Sequence, residues 1–382
     1  MIKTPAEWNR KSIDEASTVI VSPVDKKSYD HEIPVELCNY MDVYYNRLIN
    51  SKIEFMKATA TQNEIDKFSL LPGDVIITKD SETPDDIGVS AYIEEIKPNL
   101  LCGYHLSILR PNKNLCGKYL LYSLRHPKIK YDFYRYANGV TRFGLAKESY
   151  SKITIPFPPL PEQRAIADIL STWDKAIEKM EKLIEAKEKK FKGLLKEIIE
   201  NPINKEINTM LGKICIVKKG QQLNKAHMED GGKYYALNGG IEPSGRTSDW
   251  NTEANTITIS EGGNSCGFIS LNRERFWSGG HCYSLESLND NINVDYLYYY
   301  LKYFEPQIMR LRVGSGLPNI QKKDIDKFQL NIPKLEEQII DALKLKFANN
   351  EIEVLKEVLK KYKEQKRGLM QKLLTGEWRV KV

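Results

Sequence analysis

PFPPLPEQ at residues 156–163 recurs as NIPKLEEQ at residues 331–338, 175 positions later. The shared positions are Pro158, Leu160, Glu162 and Gln163 in the first copy and Pro333, Leu335, Glu337 and Gln338 in the second. Without a gap, the same offset places residues 145–199 on residues 320–374. The chain therefore contains a tandem duplication, which predicts a pseudo-two-fold molecule. Duplex DNA is the commonest ligand with a two-fold axis of its own.

A long amphipathic helix is predicted after each copy of the motif. The prolines of residues 156–161 cannot continue a helix or a central strand, so we expect the first helix to begin at Glu162. Apolar residues then follow at alternating steps of four and three, the spacing of a coiled-coil seam, with Lys187 as the one polar residue. The predicted seam, which we also take as the partner interface, comprises Trp173, Ile177, Met180, Ile184, Phe191 and Leu194, then Ile352, Leu355, Leu359, Tyr362, Leu369 and Leu373.

Each seam needs an apolar partner, and the simplest partner is the other helix. A strand-rich segment precedes each helix, so antiparallel pairing would place the two globular domains at opposite ends. Gly193 and Gly368 occupy equivalent places inside the helices, where glycine costs about 1 kcal/mol relative to alanine. We expect a close crossing or a docking point there, with fraying of the helix end as the alternative.

The predicted fold class is α+β, with two strand-rich α/β domains separated by two long helices that pair as an antiparallel coiled coil. The predicted boundaries are 1–155 for the first globular domain, 156–204 for the first helix, 205–332 for the second globular domain and 333–382 for the second helix. Glycine pairs and proline turns punctuate both globular segments. Gly103-Tyr-His105 parallels Gly280-His281 at an offset of 177, so the duplication extends into the globular domains.

Composition restricts the function only loosely. The net charge of +6 and the pI near 8.7 are a mild basic bias, compatible with nucleic acid. The six cysteines are scattered without a C-x-x-C pair, which favours buried free thiols in a reducing compartment. No apolar run approaches the roughly 20 residues of a membrane span, so we expect a cytoplasmic protein.

Signatures of an enzyme that acts on DNA are absent from the sequence, apart from one weak string. There is no phosphate-binding G-x-x-x-x-G-K-[ST] loop and no G-x-G-x-x-G fingerprint. Asp85, Glu95 and Lys97 fit the loose PD…E-x-K string of magnesium-dependent nucleases, in a chain that is 28% charged. A stand-alone nuclease is therefore an alternative, and a structural coiled-coil protein without a nucleic-acid role is another.

Basic and amide side chains cluster with tyrosines in both globular domains. Lysine and arginine supply contacts to phosphates, whereas arginine, asparagine, glutamine and hydroxyl groups can address base edges. The recurrence of such clusters in both halves favours DNA binding. The predicted DNA-binding residues are Lys79, Arg110, Lys113, Arg135 and Arg142 in the first domain, and Lys218, Lys219, Gln221, Gln222, Asn238, Arg246, Thr247, Asn264, Arg273, Arg275, His281, Arg312, Asn319 and Lys322 in the second.

Taken together, the chain resembles the specificity (S) subunit of type I restriction-modification systems. The two P-x-L-x-E-Q motifs and their helices carry the resemblance, together with the C-terminal GLMQKLLTG at residues 368–376 and the run LNGGIEPSG at residues 237–245. The resemblance covers nearly the whole chain and is weakest over residues 1–70.

The resemblance implies a non-catalytic subunit with two target recognition domains, each of which reads one half of a split DNA site. The paired helices would set the distance between the half-sites and dock methyltransferase (M) subunits, two of them in the expected complex, and restriction (R) subunits would join. S-adenosylmethionine, ATP and magnesium would then be bound by those partners, with no cofactor or metal on this chain. On this hypothesis Arg246→Ala weakens one half-site, and polar substitutions at Ile177 or Ile352 disrupt assembly.

Overall fold

The computed structural model describes residues 4–25, 28–95, 98–200, 207–224, 227–314 and 318–381. The chain divides into two units, of which unit 1 is Met1–Lys179 with Leu359–Val382 and unit 2 is Met180–Val358. Each unit contains one globular domain and a portion of both long helices. No helix among the described residues is long and apolar enough to span a membrane.

The elements of the first half of the chain are β1 Asn9–Ser12, α1 Ile13–Ala16, β2 Ser17–Val21, β3 Ile33–Cys38, α2 Tyr40–Tyr45, β4 Leu48–Ile49, β5 Met56–Ala60, α3 Gln62–Phe68, β6 Val75–Thr78, β7 Asp80–Ser81, a 3₁₀ turn Pro84–Asp86, β8 Ser90–Ile93, β9 Leu100–Cys102, β10 Leu106–Pro111, α4 Gly117–Leu124, α5 Pro127–Tyr136, β11 Ala137–Asn138, β12 Phe143–Leu145, α6 Ser149–Lys152, β13 Thr154–Phe157 and α7 Leu160–Glu200.

The elements of the second half are β14 Ile207–Met210, α8 Leu211–Ile214, β15 Ile216–Lys219, β16 Tyr234–Leu237, β17 Gly245–Thr247, β18 Thr256–Ser260, a 3₁₀ turn Gly263–Ser265, β19 Ile269–Asn272, β20 Trp277–Ser278, β21 Cys282–Glu286, α9 Val294–Tyr303, α10 Glu305–Arg310, α11 Lys322–Asp326, β22 Gln329–Ile332 and α12 Leu335–Thr375.

The two globular domains share one sheet topology. In unit 1 the main sheet has the order β2-β10-β6-β8-β4, a second sheet has the order β5-β3-β9, and β1 pairs with β13. In unit 2 the corresponding orders are β15-β21-β18-β19 and β17-β16-β20, and β14 pairs with β22. The parallel pairs β3·β9 and β16·β20 are also equivalent. The duplication predicted from the sequence is therefore confirmed in the globular domains, where the strand orders agree except for β4, a fifth strand of the main sheet in unit 1 that has no counterpart among the described strands of unit 2.

The domains also differ in a small additional sheet. Unit 1 adds a small antiparallel sheet of order β11-β12-β7, whose hairpin turn lies between Asn138 and Phe143. In unit 2 the described residues at the equivalent place make single bridges, Gly262 to Asn319 and Val313 to Asn319. The predicted similarity of Gly103-Tyr-His105 to Gly280-His281 fits this topology, because both segments lead directly into equivalent strands, β10 and β21.

Within unit 1, α7 and α12 pack against each other in antiparallel order. Trp173 meets Tyr362 edge-on with 5.5 Å between ring centroids. Earlier residues of α7, Ile166 and Leu170, share a hydrophobic core with later residues of α12, Leu373 and Leu374. The predicted pairing of the two seams is thereby confirmed in this unit.

Within unit 2 the same antiparallel order holds. Lys187, the polar residue of the predicted seam, places its Nζ 2.5 Å from Glu351 Oε1 on α12. Later residues of α7, including Ile198, share a core with Leu345 from the start of α12. The ion pair therefore accommodates the one position that interrupts the apolar spacing of the first helix.

Two details of the long helices, and one of the segment before the first helix, differ from the sequence predictions. The first helix begins at Leu160, before Glu162, because Pro161 lies in the first turn, where its missing N–H costs nothing. Pro156 lies inside β13, which pairs with β1 alone among the described strands and so tolerates a proline. The close crossing expected at Gly193 and Gly368 is wrong, because a Cβ built at either position meets no atom within 4 Å.

The glutamine of each repeated motif ties a globular domain to a long helix. The Gln163 side chain accepts from the N–H of Cys116 and donates to the carbonyl oxygens of Asn114 and Pro158, at 2.9, 3.1 and 2.9 Å. Cys116 is the residue directly before α4, so the glutamine caps that helix. In unit 1 the repeated motif therefore joins the globular domain to the long helix.

Gln338 makes the equivalent set of bonds in unit 2. It accepts from Asn293 N at 2.8 Å, and it donates to the carbonyl oxygens of Asn291 and Pro333 at 3.1 and 2.8 Å. Asn293 is the residue directly before α9. In each unit one buried amide therefore fixes the tyrosine-rich helix of the globular domain on the long helix.

Candidate nucleic-acid interface and partner face

A polar cleft of about 400 Å³ lies beside the small sheet of unit 1. Its central group is Asp80, whose Oδ1 lies 2.6 Å from His105 Nδ1 and accepts from Arg142 Nη2 at 3.2 Å. Lys79 Nζ lies 3.3 Å from Asp80 Oδ2 and 4.5 Å from the centroid of the Tyr104 ring. The cleft is lined by Tyr40, Asp80, Ser81, Glu82, Thr83, Asp86, His105 and Arg142. Two predicted DNA-binding residues, Lys79 and Arg142, therefore converge on one carboxylate.

The other predicted residues of the first domain are spread over its surface. Arg110 donates to both carboxylate oxygens of Asp74, at 2.9 and 2.8 Å, and to Ser69 O at 2.9 Å. This pairing raises the pKa of Arg110 and uses the guanidinium to hold a turn, which argues against a direct contact with DNA. Arg135, which packs over the Tyr136 ring, and Lys113 are exposed.

Glu261 is the centre of a comparable cluster in the second domain. Lys219 Nζ lies 2.6 Å from Glu261 Oε1, Tyr283 donates its hydroxyl to the same oxygen at 3.1 Å, and His281 Nδ1 lies 3.4 Å from Oε2. Burial, and then the carboxylate, raises the pKa of Tyr283 to about 12. Lys218 pairs with Glu286 at 3.1 Å on the same strand pair. In both domains a histidine directly before the equivalent strand thus lies beside an acid and a lysine.

Several predicted residues of the second domain serve the fold. Arg246 donates to the carbonyl oxygens of Gly232 and Lys233, at 2.6 and 2.7 Å. Thr247 is only 2% exposed. The burial of Thr247 argues against a direct contact with DNA. Because Arg246 is bonded to two backbone carbonyls, Arg246→Ala would disturb a loop in addition to any contact with a half-site.

The remaining predicted positions of this domain lie at its surface or in its loops. Arg273 pairs with Asp295, and Arg275 pairs with Glu253 at 2.9 Å while covering the Trp250 ring. Five further side chains, Gln221, Gln222, Asn264, Arg312 and Lys322, are exposed, whereas Asn238 and Asn319 are partly buried. The DNA-binding set as a whole stays a prediction.

The predicted seam residues are buried or partly buried, as pairing requires. Ile184, Ile352 and Leu373 are the most buried of them. Other residues of the chain therefore cover most of these side chains, and Ile177 and Ile352 contribute to the packing of the chain itself.

An exposed apolar face outside the predicted seam lies on α12. Ile339, Ile340, Leu343, Phe347 and Val354 are all exposed, and Phe347 is 77% exposed. Their spacing places them along one side of the helix. We call these five residues the apolar stripe. In the sequence these residues form a second set of apolar positions outside the predicted seam. Only the structure shows that this set is exposed.

The apolar stripe has no counterpart on the first helix. The residues at the equivalent positions of α7 are Arg164, Ala165, Asp168, Thr172 and Lys179. The two copies therefore present chemically different outer faces, although their seams and their buried glutamines are alike.

A buried ion cluster fixes the first domain on the helices of unit 1. Asp174 on α7 accepts from the Tyr122 hydroxyl at 2.6 Å and pairs with Lys366 of α12 and with Arg47. Burial lowers the pKa of Lys366, and the Asp174 carboxylate opposes that effect. Three segments distant in sequence thus meet at one carboxylate.

The residues of the weak nuclease string do not form a described metal site. Asp85 lies in the 3₁₀ turn Pro84–Asp86 and Glu95 follows β8, whereas Lys97 lies outside the described residues. Among the described residues there is no group of three or more His, Cys, Asp and Glu side chains that could hold a metal ion.

Comparison with known proteins finds one family over most of the chain. The family model "Type I restriction modification DNA specificity domain" matches residues 5–188 and again residues 204–363. The predicted specificity subunit of the type I restriction enzyme MjaX from Methanocaldococcus jannaschii is 26% identical over 410 residues, covering 99% of this chain and 95% of the relative.

Solved structures agree at the level of the fold. The crystal structure of the type I restriction-modification S subunit from M. genitalium is similar with a TM-score of 0.68 and 20% identity, covering 96% of each chain. A chain from a study of complex assembly and conformational transition of the type I restriction-modification system has a TM-score of 0.59 and 17% identity, covering 98% of this chain and 100% of that chain.

Proposed function

Because the chain belongs to the family of type I restriction modification DNA specificity domains, we propose that its two globular domains each read one half of a bipartite DNA site. The chain is the DNA-specificity subunit of a type I restriction-modification complex. The family model matches the chain twice, once in each half, and this observation supports two DNA-reading domains. The nuclease alternative gains no support from any of these comparisons.

The chemistry of methylation and cleavage is assigned to the partner subunits. In this proposal the chain itself is not an enzyme, and S-adenosylmethionine, ATP and magnesium bind to M and R subunits. The complex acts in the cytoplasm, where the host DNA is. Type I specificity subunits assemble with M and R subunits and with DNA, and we propose that this chain carries two M subunits.

We further propose that the apolar stripe is a docking face for an M subunit. Its five side chains are large, exposed and aligned on one side of a helix, which is the arrangement of a helix-in-groove or helix-bundle interface. A contiguous exposed apolar surface on a folded protein marks an interaction site.

The polar residues at the equivalent positions of α7 imply that the two M subunits do not bind alike. An M subunit that covers the apolar stripe gains burial of apolar surface, whereas one on the equivalent face of α7 meets Arg164, Asp168 and Lys179. We therefore expect the two M subunits to bind in separate steps. The M subunit on the apolar stripe should be the last to dissociate.

The assignment is tested by sequencing the methylated positions in a host that carries the M subunit with or without this chain. We expect modified adenines in a motif of two short specific halves, separated by a fixed number of unspecified bases, only when the chain is present. An identical motif without the chain, or no motif with it, would contradict the assignment.

A further inference from the structure

We propose that Arg142 is a base-reading arginine of the first recognition domain and that it reads guanine. This inference rests on the proposed function, which it extends from a domain that reads DNA to one residue and one base. Three features of the structure support the proposal. They are the contacts that hold Arg142, its N–H donors that have no partner in the described part of the chain, and the charge of the surrounding cleft.

A tight turn fixes the place of Arg142. It is the last residue of the hairpin turn between β11 and β12, where Gly139 has φ +144°. A Cβ at Gly139 would lie 1.9 Å from the carbonyl oxygen of Arg142, so only glycine lets the turn close this tightly. The turn projects outward, since Val140 at its tip is 90% exposed. The arginine is thus presented at the end of a β-ribbon, a shape that the major groove admits.

Asp80 orients the guanidinium by holding one of its nitrogens. Arg142 Nη2 donates to Asp80 Oδ1, and His105 approaches the same oxygen with Nδ1 at 2.6 Å. Arg142 Nη2 also lies 3.1 Å from His105 Nδ1, so the guanidinium rests against the imidazole. A side chain held in this way loses less rotamer freedom on binding than a free one.

The unused donors of Arg142 match guanine. Among the described residues, neither Nε nor Nη1 of Arg142 has a hydrogen-bond partner, and the side chain is 61% exposed. In the major groove guanine presents two adjacent acceptors, O6 and N7, and a bidentate arginine is their commonest specific partner. Asp80 Oδ1 occupies one of the two N–H groups of Nη2. The second N–H of Nη2 is parallel to an N–H of Nη1 or of Nε, so the guanidinium can make a two-bond contact with guanine and remain bonded to Asp80.

The charge of the cleft argues for a base and against a phosphate. Asp80, Glu82 and Asp86 line the cleft with Arg142, and Lys79 is already paired with Asp80. Carboxylates outnumber the cationic side chains there, so a phosphate would be repelled. A base edge carries no net charge, and the carboxylates can accept from the amino group of a paired cytosine.

The second domain has no arginine at the equivalent position. Residue 142 corresponds to Leu317 at the offset of 175, and Leu317 lies outside the described residues. The two domains therefore do not share this reader, which agrees with an asymmetric split site.

The test measures binding of the M–S complex to duplexes that carry the wild-type methylation motif or one base-pair change at each specific position. For Arg142→Ala, discrimination is expected to fall by about tenfold to a hundredfold at one G·C position of one half-site, and to persist at the others. Arg142→Lys keeps the charge but not the paired donors, so it should show the same positional loss. Asp80→Asn should give a smaller loss at that same position.

Arg135→Ala provides the comparison with a phosphate contact. It should weaken binding to all duplexes alike and make the salt dependence less steep. Equal weakening on every duplex by Arg142→Ala and by Arg142→Lys, or a loss confined to an A·T position, would overturn the inference. A wild-type complex without any bipartite motif would instead overturn the proposed function.

Discussion

Removing the glutamine of the repeated motif tests the structural role that we assign to that motif. Gln163 is fully buried and makes three hydrogen bonds, one of which satisfies the N–H of Cys116 at the start of α4. At about 1 kcal/mol net for each bond, Gln163→Ala should destabilise the attachment of α4 by about 3 kcal/mol, and by more if the freed groups stay dry. A loss of this size leaves a folded protein, since domains are stable by roughly 5–15 kcal/mol.

Hydrogen exchange read by mass spectrometry can locate the effect. In Gln163→Ala the amides of α4 should exchange about a hundredfold faster, which corresponds to the expected free energy. The amides of α9 should keep their protection. Gln338→Ala should do the reverse, and Arg164→Ala, an exposed neighbour on the same helix, should change neither. Unchanged protection of α4, or equal loss in both helices, would refute the anchoring role.

Three further predictions concern partner docking, the ion cluster and pH. Phe347→Ser should weaken binding of an M subunit at least tenfold by calorimetry, because an exposed phenyl ring of the apolar stripe loses about 1.5–3 kcal/mol of burial, whereas Thr172→Ser on the other helix should leave the affinity within twofold. Asp174→Asn should lower the free energy of unfolding by about 3 kcal/mol in urea, since it leaves Lys366 buried without its counter-charge; a change below 1 kcal/mol would contradict this. Burial raises the pKa of Tyr150 to about 12, above the roughly 10 of an unfolded tyrosine, so its contribution to stability is full below pH 10 and is lost between about pH 10 and 12. Tyr150→Phe should flatten the pH dependence of the urea midpoint in that range, and an unchanged slope would count against it.

The fold class and the pairing of the two long helices could be predicted from the sequence alone, because the duplication and the seam spacing are both visible in it. A register of 175 residues is visible without any contact being known, and the equivalence of Gln163 and Gln338 survives into equivalent hydrogen bonds. The antiparallel pairing of the helices follows from the amphipathic pattern. The helix start was missed by two residues because Pro161 is acceptable in a first turn.

The roles of individual charged residues were harder to predict, because a sequence pattern does not show which groups a side chain contacts. The sequence does not distinguish Arg110 from Arg142, yet Arg110 is held through Nε and Nη2 by Asp74 and a backbone carbonyl, whereas Arg142 is held through Nη2 alone. Thr247 lies beside an exposed arginine in the sequence and is buried in the structure. These differences come from contacts between residues that are tens of positions apart.

The exposure of the apolar stripe could not be predicted from the sequence either. Ile340, Leu343 and Phe347 lie outside the predicted seam, and only the exposure of each side chain shows that nothing in the described part of the chain covers them. Periodicity predicts that an apolar face will be buried, but it does not say whether the covering surface belongs to the same chain or to a partner.

The central claim, that paired helices carry two independent readers, is tested most directly by exchanging one domain. The globular part of unit 1, residues 1–155, is replaced by that of another specificity subunit, and the methylated motif of the host is sequenced with the same M subunit. The account predicts that one half of the motif changes, while the other half and the number of bases between the halves stay the same. A change in both halves, or in the half that belongs to the retained domain, would contradict it.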